Sequence, residues 1–304
     1  GLATTEAEAH NTLSAAKEMG VDFLDSANVY GMGVSERIIG SFLKGNAADF
    51  TIATKAGIWR DPATGKRGFN NKADYLRQEL EDSLTRLGLE HVDLYYMHRR
   101  DQEVPVEAVM ETLLGFKAEG KIGGIGFSEI SPATLRRAAA VGPVDAVQSE
   151  YSLWTRQPEM GMIQTCKELG VAFVPFSPLG RGIFAPTPPD PSTFEDGHFR
   201  KGTPRFTEPN FSWNVEQVGR FKSLAQDIGV SPVTLALAWC LSRGEHLVPI
   251  PGTRSADHLA DCVAAATFNM NNETMAAIEA CLPIGWAHGD RYSREQWIGV
   301  EGYC

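Results

Sequence analysis

Short apolar runs alternate with amphipathic stretches along almost the whole chain. Runs at "DFLDSA" (22–27), "FTIATK" (50–55), "VDLYYM" (92–97), "IGGIGF" (122–127), "DAVQS" (145–149), "VAFVPF" (171–176) and "HLVPI" (246–250) have the length and content of buried strands. Between them the spacing turns helical. In "KADYLRQELEDSLTRLG" the apolar positions 76, 80, 84 and 87 share one face, and Gly88 is a stop signal. Similar patterns cover 4–19, 34–44, 106–119, 131–140, 158–169, 214–228, 232–242 and 255–265. Parallel strands need long crossovers, usually helical, so strict alternation predicts an α/β fold with a parallel sheet.

Seven strands preceded by a helix pattern fall one short of a closed (β/α)8 TIM barrel. An open doubly wound sheet of seven would satisfy the same count. That alternative lacks its usual nucleotide fingerprint: Gly31-x-Gly33 follows the first strand, but position 36 is glutamate, so no G-x-G-x-x-G opens the first helix. The pattern therefore favours a barrel whose first strand is absent from the sequence, built as one domain over residues 1–304. Two irregular stretches interrupt it, a Pro- and Gly-rich loop at 179–213 and a segment from 283 to 304. A loop of the first kind is usually a lid or binding loop.

Composition narrows the partners. The 304 residues are 43% hydrophobic and carry a net charge of -10, which disfavours nucleic acid and anionic membrane. No stretch reaches the ~18 apolar residues of a membrane helix, and "GLATTEAEAH" is not a secretion signal. Five cysteines, Cys166, Cys240, Cys262, Cys281 and Cys304, stand at scattered spacings without a C-x-x-C pair. They read as thiols of a reducing compartment, and the expected location is cytoplasmic.

In a barrel the chemistry lies at the C-terminal strand ends. Three successive strands deliver Asp25 with Tyr30, then Lys55, then His98. Each has an ordinary structural explanation: a turn former, a rim aromatic, a solvated strand end, a core histidine. Together on adjacent strand ends they suit carbonyl reduction. Hydride arriving at a carbonyl carbon leaves negative charge on oxygen, and a proton donor must stand beside it. A phenol ordinarily titrates near 10, too high for easy acid catalysis at neutral pH, but a neighbouring ammonium favours its ionised form. Lys55 supplies that ammonium, Asp25 holds Lys55 charged, and a neutral His98 donates a hydrogen bond to the carbonyl oxygen.

These residues carry a family resemblance. "GVDFLDSANVYGMGVSERIIG" resembles the aldo-keto reductase signature, D-x-x-x-x-Y-G followed by a G-x-S-E helix start. "TKAG", "DLYYMHRRD", "GKIGGIGFSEIS", "VQSEYSLW", "VPFSPLGRGIF" and "VPIPGTRSADHLADC" follow in family order. The chain is similar in particular to the branch of pyridoxal reductases, perakine-type reductases and potassium-channel β subunits. The resemblance implies an eight-stranded barrel that uses NADPH to reduce aldehydes or ketones, with Tyr30 as proton donor.

It also implies where the cofactor lies. Ser128 and Gln148 would hold the nicotinamide carboxamide, with Glu129 where many members have asparagine, and Phe176 would stack on the ring. Ser177, Leu179, Gly180 and Arg181 would follow the pyrophosphate. Gly252, Thr253 and Arg254, leading into a helix, suit the 2′-phosphate of NADP. His258, Asp261 and Cys262 would lie near the adenosine, Cys262 replacing an asparagine common in the family. Trp59, Arg99, Trp154 and the tail aromatics Trp286, Tyr292 and Trp297 are candidates for the substrate wall. Two other classes compete: a cofactor-binding regulatory subunit with little turnover, and a metal-dependent barrel hydrolase, for which no ligand cluster is evident. Oligomeric state and the particular small carbonyl substrate are not legible.

Overall fold

The computed structural model describes residues 5–46, 49–61, 63, 64 and 66–303; Cys304 and the first residue of the helix expected at 4–19 lie outside them. In chain order the elements are α1 (Glu6–Glu18), β1 (Phe23–Asp25), α2 (Val34–Leu43), β2 (Thr51–Ala56), β3 (Ile58–Arg60), β4 (Arg67–Phe69), α3 (Ala73–Leu87), β5 (Val92–Met97) and α4 (Val106–Ala118). They continue with β6 (Ile122–Ser128), α5 (Pro132–Val141), β7 (Ala146–Glu150), α6 (Met162–Leu169), β8 (Ala172–Phe176), α7 (Asn210–Ile228), α8 (Pro232–Leu241), α9 (Ala256–Ala264) and α10 (Asn272–Cys281).

Six of these strands form one sheet in the order β1-β2-β5-β6-β7-β8, and the registers recorded for its first four neighbouring pairs are parallel. The alternating sequence pattern thus gives the α/β fold it predicts. Strand β7 is buried at every position and β2 at all but its first, as expected of strands covered on both faces. Helix starts follow the local chemistry. Thr5 and Glu8 form a capping box before α1. Ser131-Pro132 and Ser231-Pro232 open α5 and α8 with the same pairing of a hydroxyl cap and a proline in the first turn. Gly88 ends α3 in the left-handed conformation that its sequence position predicts.

The chain divides into two compact units. A sheet unit comprises the described residues up to 149, with 161–174 and 299–303; a helical unit comprises 150–160 and 175–298. Strand β8 gives Ala172–Val174 to the first and Pro175 and Phe176 to the second.

Three expectations change. The strand expected at 246–250 is reduced to isolated bridge positions at Leu247 and Ile250, the latter bridging Phe176 with its amide donating to the Pro175 carbonyl at 3.0 Å. Pro249 and Pro251 flank that bridge and cannot donate, so no ladder propagates from it. The helix expected at 158–169 breaks at Gly161, φ 141°, into a 3-10 turn (Gln157–Met160) and α6. Helix α7 begins at Asn210, inside the stretch read as irregular. The antiparallel β3–β4 hairpin and helix α10 are additions. Among the described residues no single helix is long and apolar enough to cross a membrane.

Candidate active site

The sheet unit holds the four residues proposed for proton transfer. Asp25 is the last residue of β1, paired in register with Ala53, and Lys55 on β2 is paired with Tyr96 on β5. The Lys55 side chain is entirely buried, and its ammonium forms an ion pair with Asp25. Removing either partner would leave an uncompensated buried charge. The other Asp25 oxygen accepts a hydrogen bond from Gln148 Nε2 at 2.9 Å.

Past β1 the chain turns tightly: the Asn28 amide donates to the Lys55 carbonyl at 3.1 Å, and Gly31 and Gly33 both take positive φ. This turn brings the Tyr30 ring to 5.4 Å from Lys55 Nζ and to 5.9 Å, edge-on, from His98. Tyr30 remains 41% exposed, so the phenol faces solvent on one side and the cation on the other. His98 is buried, and burial, followed by the charges of Arg99, Lys55 and Arg67, holds its imidazole well below the usual histidine range. It is therefore neutral at pH 7 and able to donate to a carbonyl oxygen.

Ser128 ends β6 opposite Gln148 on β7. Its hydroxyl oxygen accepts from Arg99 Nη1 at 2.8 Å, and the same nitrogen donates to the His98 carbonyl. Glu129 is buried in a left-handed conformation, φ 55°. Trp59, on the β3–β4 hairpin, is exposed and its indole covers Gly68, where a Cβ would meet it at 2.5 Å.

Several supporting residues escaped the sequence reading. Glu36, fully buried, accepts from Thr54 at 2.5 Å and from Arg86 at 2.6 Å, tying the helix after Tyr30 to the strand of Lys55. Asn71 donates to the Arg99 carbonyl and accepts from the Asp101 amide, fixing the turn after His98. Tyr96 lies with its ring 5.5 Å from Lys55 Nζ; burial raises its phenol, so it stays protonated. Glu36 has a signal in its motif position, whereas Asn71 and Tyr96 have none.

The helical unit holds the remaining candidates. Ser177, Gly180, Arg181 and Gly182 all take positive φ, and Leu179 precedes Gly180 with φ -96° and ψ 21°. Within this turn the amides of Gly180, Gly182, Ile183 and Phe184 donate to the carbonyls of Ser177, Leu179, Gly180 and Leu179, so the turn is held by its own backbone bonds. Position 180 must be glycine for a second reason: a Cβ there would approach Ile183, Trp154 and Phe184 at 2.9 to 3.1 Å. Arg181 is held by Glu150 at 2.5 Å, yet its Nη1 is buried without a partner among the described residues.

Arg254 is exposed just before α9, whose Ser255 N-cap makes no side-chain hydrogen bond to the helix. The first-turn amides of α9 are therefore not satisfied by that cap. Gly252 and His258 are exposed, and Thr253 Oγ1 accepts from the Ser255 amide. The Asp261 carbonyl accepts from Thr234. Cys262 is buried in an apolar cluster with Val233, Leu237, Ala238 and Ala265, against which Leu179 also packs, and burial pushes its thiol up to about 11. Phe176 carries the bridge to Ile250. Trp154 is buried, stacked on Trp286 at 6.4 Å with Arg205 5.0 Å from its ring.

Comparison with known proteins places these observations in a family. A model described as the aldo/keto reductase family matches residues 1–283. The chain is 40% identical over 275 residues to aldo-keto reductase yakc [NADP(+)] of Schizosaccharomyces pombe, covering 88% of this chain and 81% of that protein. It is 38% identical over 293 residues to a probable aldo-keto reductase 1 of Glycine max, covering 94% and 83% respectively. Among solved structures, a glycerol dehydrogenase of Gluconobacter oxydans is similar with a TM-score of 0.84 at 26% identity, over 92% of this chain and 86% of that one.

Proposed function

Because this chain belongs to the aldo/keto reductase family, we propose that it reduces an aldehyde or ketone to the alcohol with NADPH, taking the proton from Tyr30. The observation that carries the reading is the grouping of one exposed phenol with a fully buried, carboxylate-paired lysine and a neutral imidazole. That grouping belongs to the sheet unit alone. We propose the family's closed eight-stranded barrel as its frame.

The residues present fit a dinucleotide phosphate. Arg181, whose Nη1 has no hydrogen-bond partner among the described residues, suits a pyrophosphate, and Arg254 beside the weakly capped start of α9 suits a 2′-phosphate. Ser128 and Gln148 are the groups we assign to the carboxamide, and Phe176 to the ring face. When bound, the nicotinamide supplies the hydride.

The protein's part is proton management. Tyr30 gives its proton to the carbonyl oxygen as negative charge builds there, and the ammonium of Lys55 stabilises the phenolate left behind. Asp25 keeps that ammonium in place, fixed in turn by Gln148. His98, uncharged, donates to the same carbonyl oxygen without competing for the proton. Trp59 and Arg99, in the sheet unit, and Trp154, in the helical unit, are the residues we assign to the substrate wall. The test is a panel of aliphatic and aromatic aldehydes and ketones with NADPH, followed at the nicotinamide absorbance. Consumption with at least one class, giving the alcohol, is expected; no consumption with any would reject the assignment.

A further inference from the structure

Lys55 is a buried cation with few acceptors. Its ammonium has three N–H donors to place, its side chain is entirely buried, and among the described residues a single hydrogen-bond acceptor, Asp25, meets it. The rest of its surroundings is aromatic. Nζ lies over two phenol rings, 5.4 Å from the centroid of Tyr30 and 5.5 Å from that of Tyr96. At such distances the negative face of a ring attracts a cation, most strongly where water is excluded.

The two rings are held differently. Tyr30 stands exposed on its turn, and it is the group assigned to change charge in the reaction. Tyr96 is fully buried on an interior strand, where β5 pairs it in register with Lys55 on β2 and with Gly126 on β6. Gly126 makes room for it. A Cβ at that position would come within 2.3 Å of Tyr96 Cδ1 and 2.5 Å of Cε1, so the ring lies across bare backbone of the neighbouring strand. The Tyr96 hydroxyl is buried without a hydrogen-bond partner among the described residues, which leaves the ring as the part that meets Lys55. Burial, and after it the charge of Asp25, keeps this phenol protonated, so it does not neutralise the ammonium.

We propose that Tyr96 is a positioning residue for Lys55: its fixed ring holds the ammonium against Tyr30 and keeps it from withdrawing onto Asp25. A carboxylate acting alone draws the cation to itself, and the phenolate left after proton transfer would lose part of the charge that stabilises it. A neutral ring attracts the cation without cancelling its charge. Lys55 is thereby compensated for its burial and still available to Tyr30. The inference rests on the reading of Tyr30 as proton donor in carbonyl reduction, and it has Tyr96 act through Lys55 rather than on the reacting atoms.

The test weakens the ring's negative face while keeping its shape. The fall of kcat/KM at high pH is compared in the native protein, Tyr96→Phe, Tyr96→Leu and a protein with a trifluorinated phenylalanine in place of Tyr96, and thermal unfolding of each is measured alongside. Reduction uses protonated Tyr30, and an ammonium beside it favours the ionised phenol, so a weaker hold on Lys55 moves that fall to higher pH. Tyr96→Phe keeps the ring, loses only an unpartnered hydroxyl, and should match native in rate, pH dependence and stability. Relative to Tyr96→Phe, fluorination should move the fall upward by about half a pH unit or more and lower kcat/KM at neutral pH by about threefold or more. Tyr96→Leu should move it in the same direction by at least as much. A fall that stays in place while rate or stability drops would make Tyr96 a packing residue, and a shift already complete in Tyr96→Phe would transfer the role to the hydroxyl. Either result overturns the inference and leaves the functional reading standing. A native protein that oxidises no NADPH with any carbonyl overturns both.

Discussion

Arg254 and His98 make opposite demands on charge, and both can be tested at a single residue. Arg254 is exposed next to the start of α9, where we propose the 2′-phosphate of NADPH, a group that a guanidinium suits. Arg254→Ala should weaken NADPH by about 10- to 100-fold, the worth of one charge-assisted contact, and NADH by less than about threefold. Binding titrations with both cofactors decide it, since equal losses would remove the 2′-phosphate from the assignment. His98 acts uncharged. Burial holds its folded-state pKa below the unfolded value, so its neutral form persists as pH falls through the usual histidine range. The rate, kcat/KM, should therefore show no falling limb attributable to imidazole between pH 6 and 8. Stability should decline as pH drops below about 6.5, because there the unfolded chain takes a proton that the folded chain refuses. A native titration limb near 6.5 in NMR of His98 would contradict both. Asp25, Tyr30, Lys55 and His98 were legible because polar residues directly after apolar runs stand out. Glu150, Arg205 and Arg291 were not, since Glu150 finds Arg291 141 positions away and no local pattern encodes such a pairing.

Elements were legible where burial was strong. The apolar runs of β2, β5, β6 and β7 announce strands because both faces are covered. Helix α10 escaped because Ile278 is its one buried residue, too little to write a periodic face. The run at 246–250 misled for the converse reason: its apolar content is real, but its prolines deny it a ladder. The packing of α2 on α3 offers an element-scale prediction. A Cβ at Gly40 would lie 2.5 Å from the Arg86 carbonyl oxygen and 2.8 Å from that of Leu87, backbone that no rotamer change can move. Gly40→Ala should cost about 1–3 kcal/mol in urea unfolding even though it adds a helix-favouring residue. A stability equal to or above native would show that α2 and α3 adjust freely.

Across the chain as a whole, the residues proposed for proton transfer lie in the sheet unit and those proposed for phosphate binding in the helical unit. The overall charge of -10 does not favour a polyanionic cofactor at long range. In the proposed reading affinity comes instead from local cations, Arg181 and Arg254. The parallel order of strands followed from the alternation of patterns, whereas the division into two units did not, because it depends on which distant segments touch. The central claim is that Tyr30 delivers the proton. The most direct measurement is single-turnover reduction of a reactive aldehyde by Tyr30→Phe, with NADPH binding measured in parallel. The account predicts binding within about threefold of native and a rate lowered by about a thousandfold or more; a variant that reduces within tenfold of native would place the proton donor elsewhere.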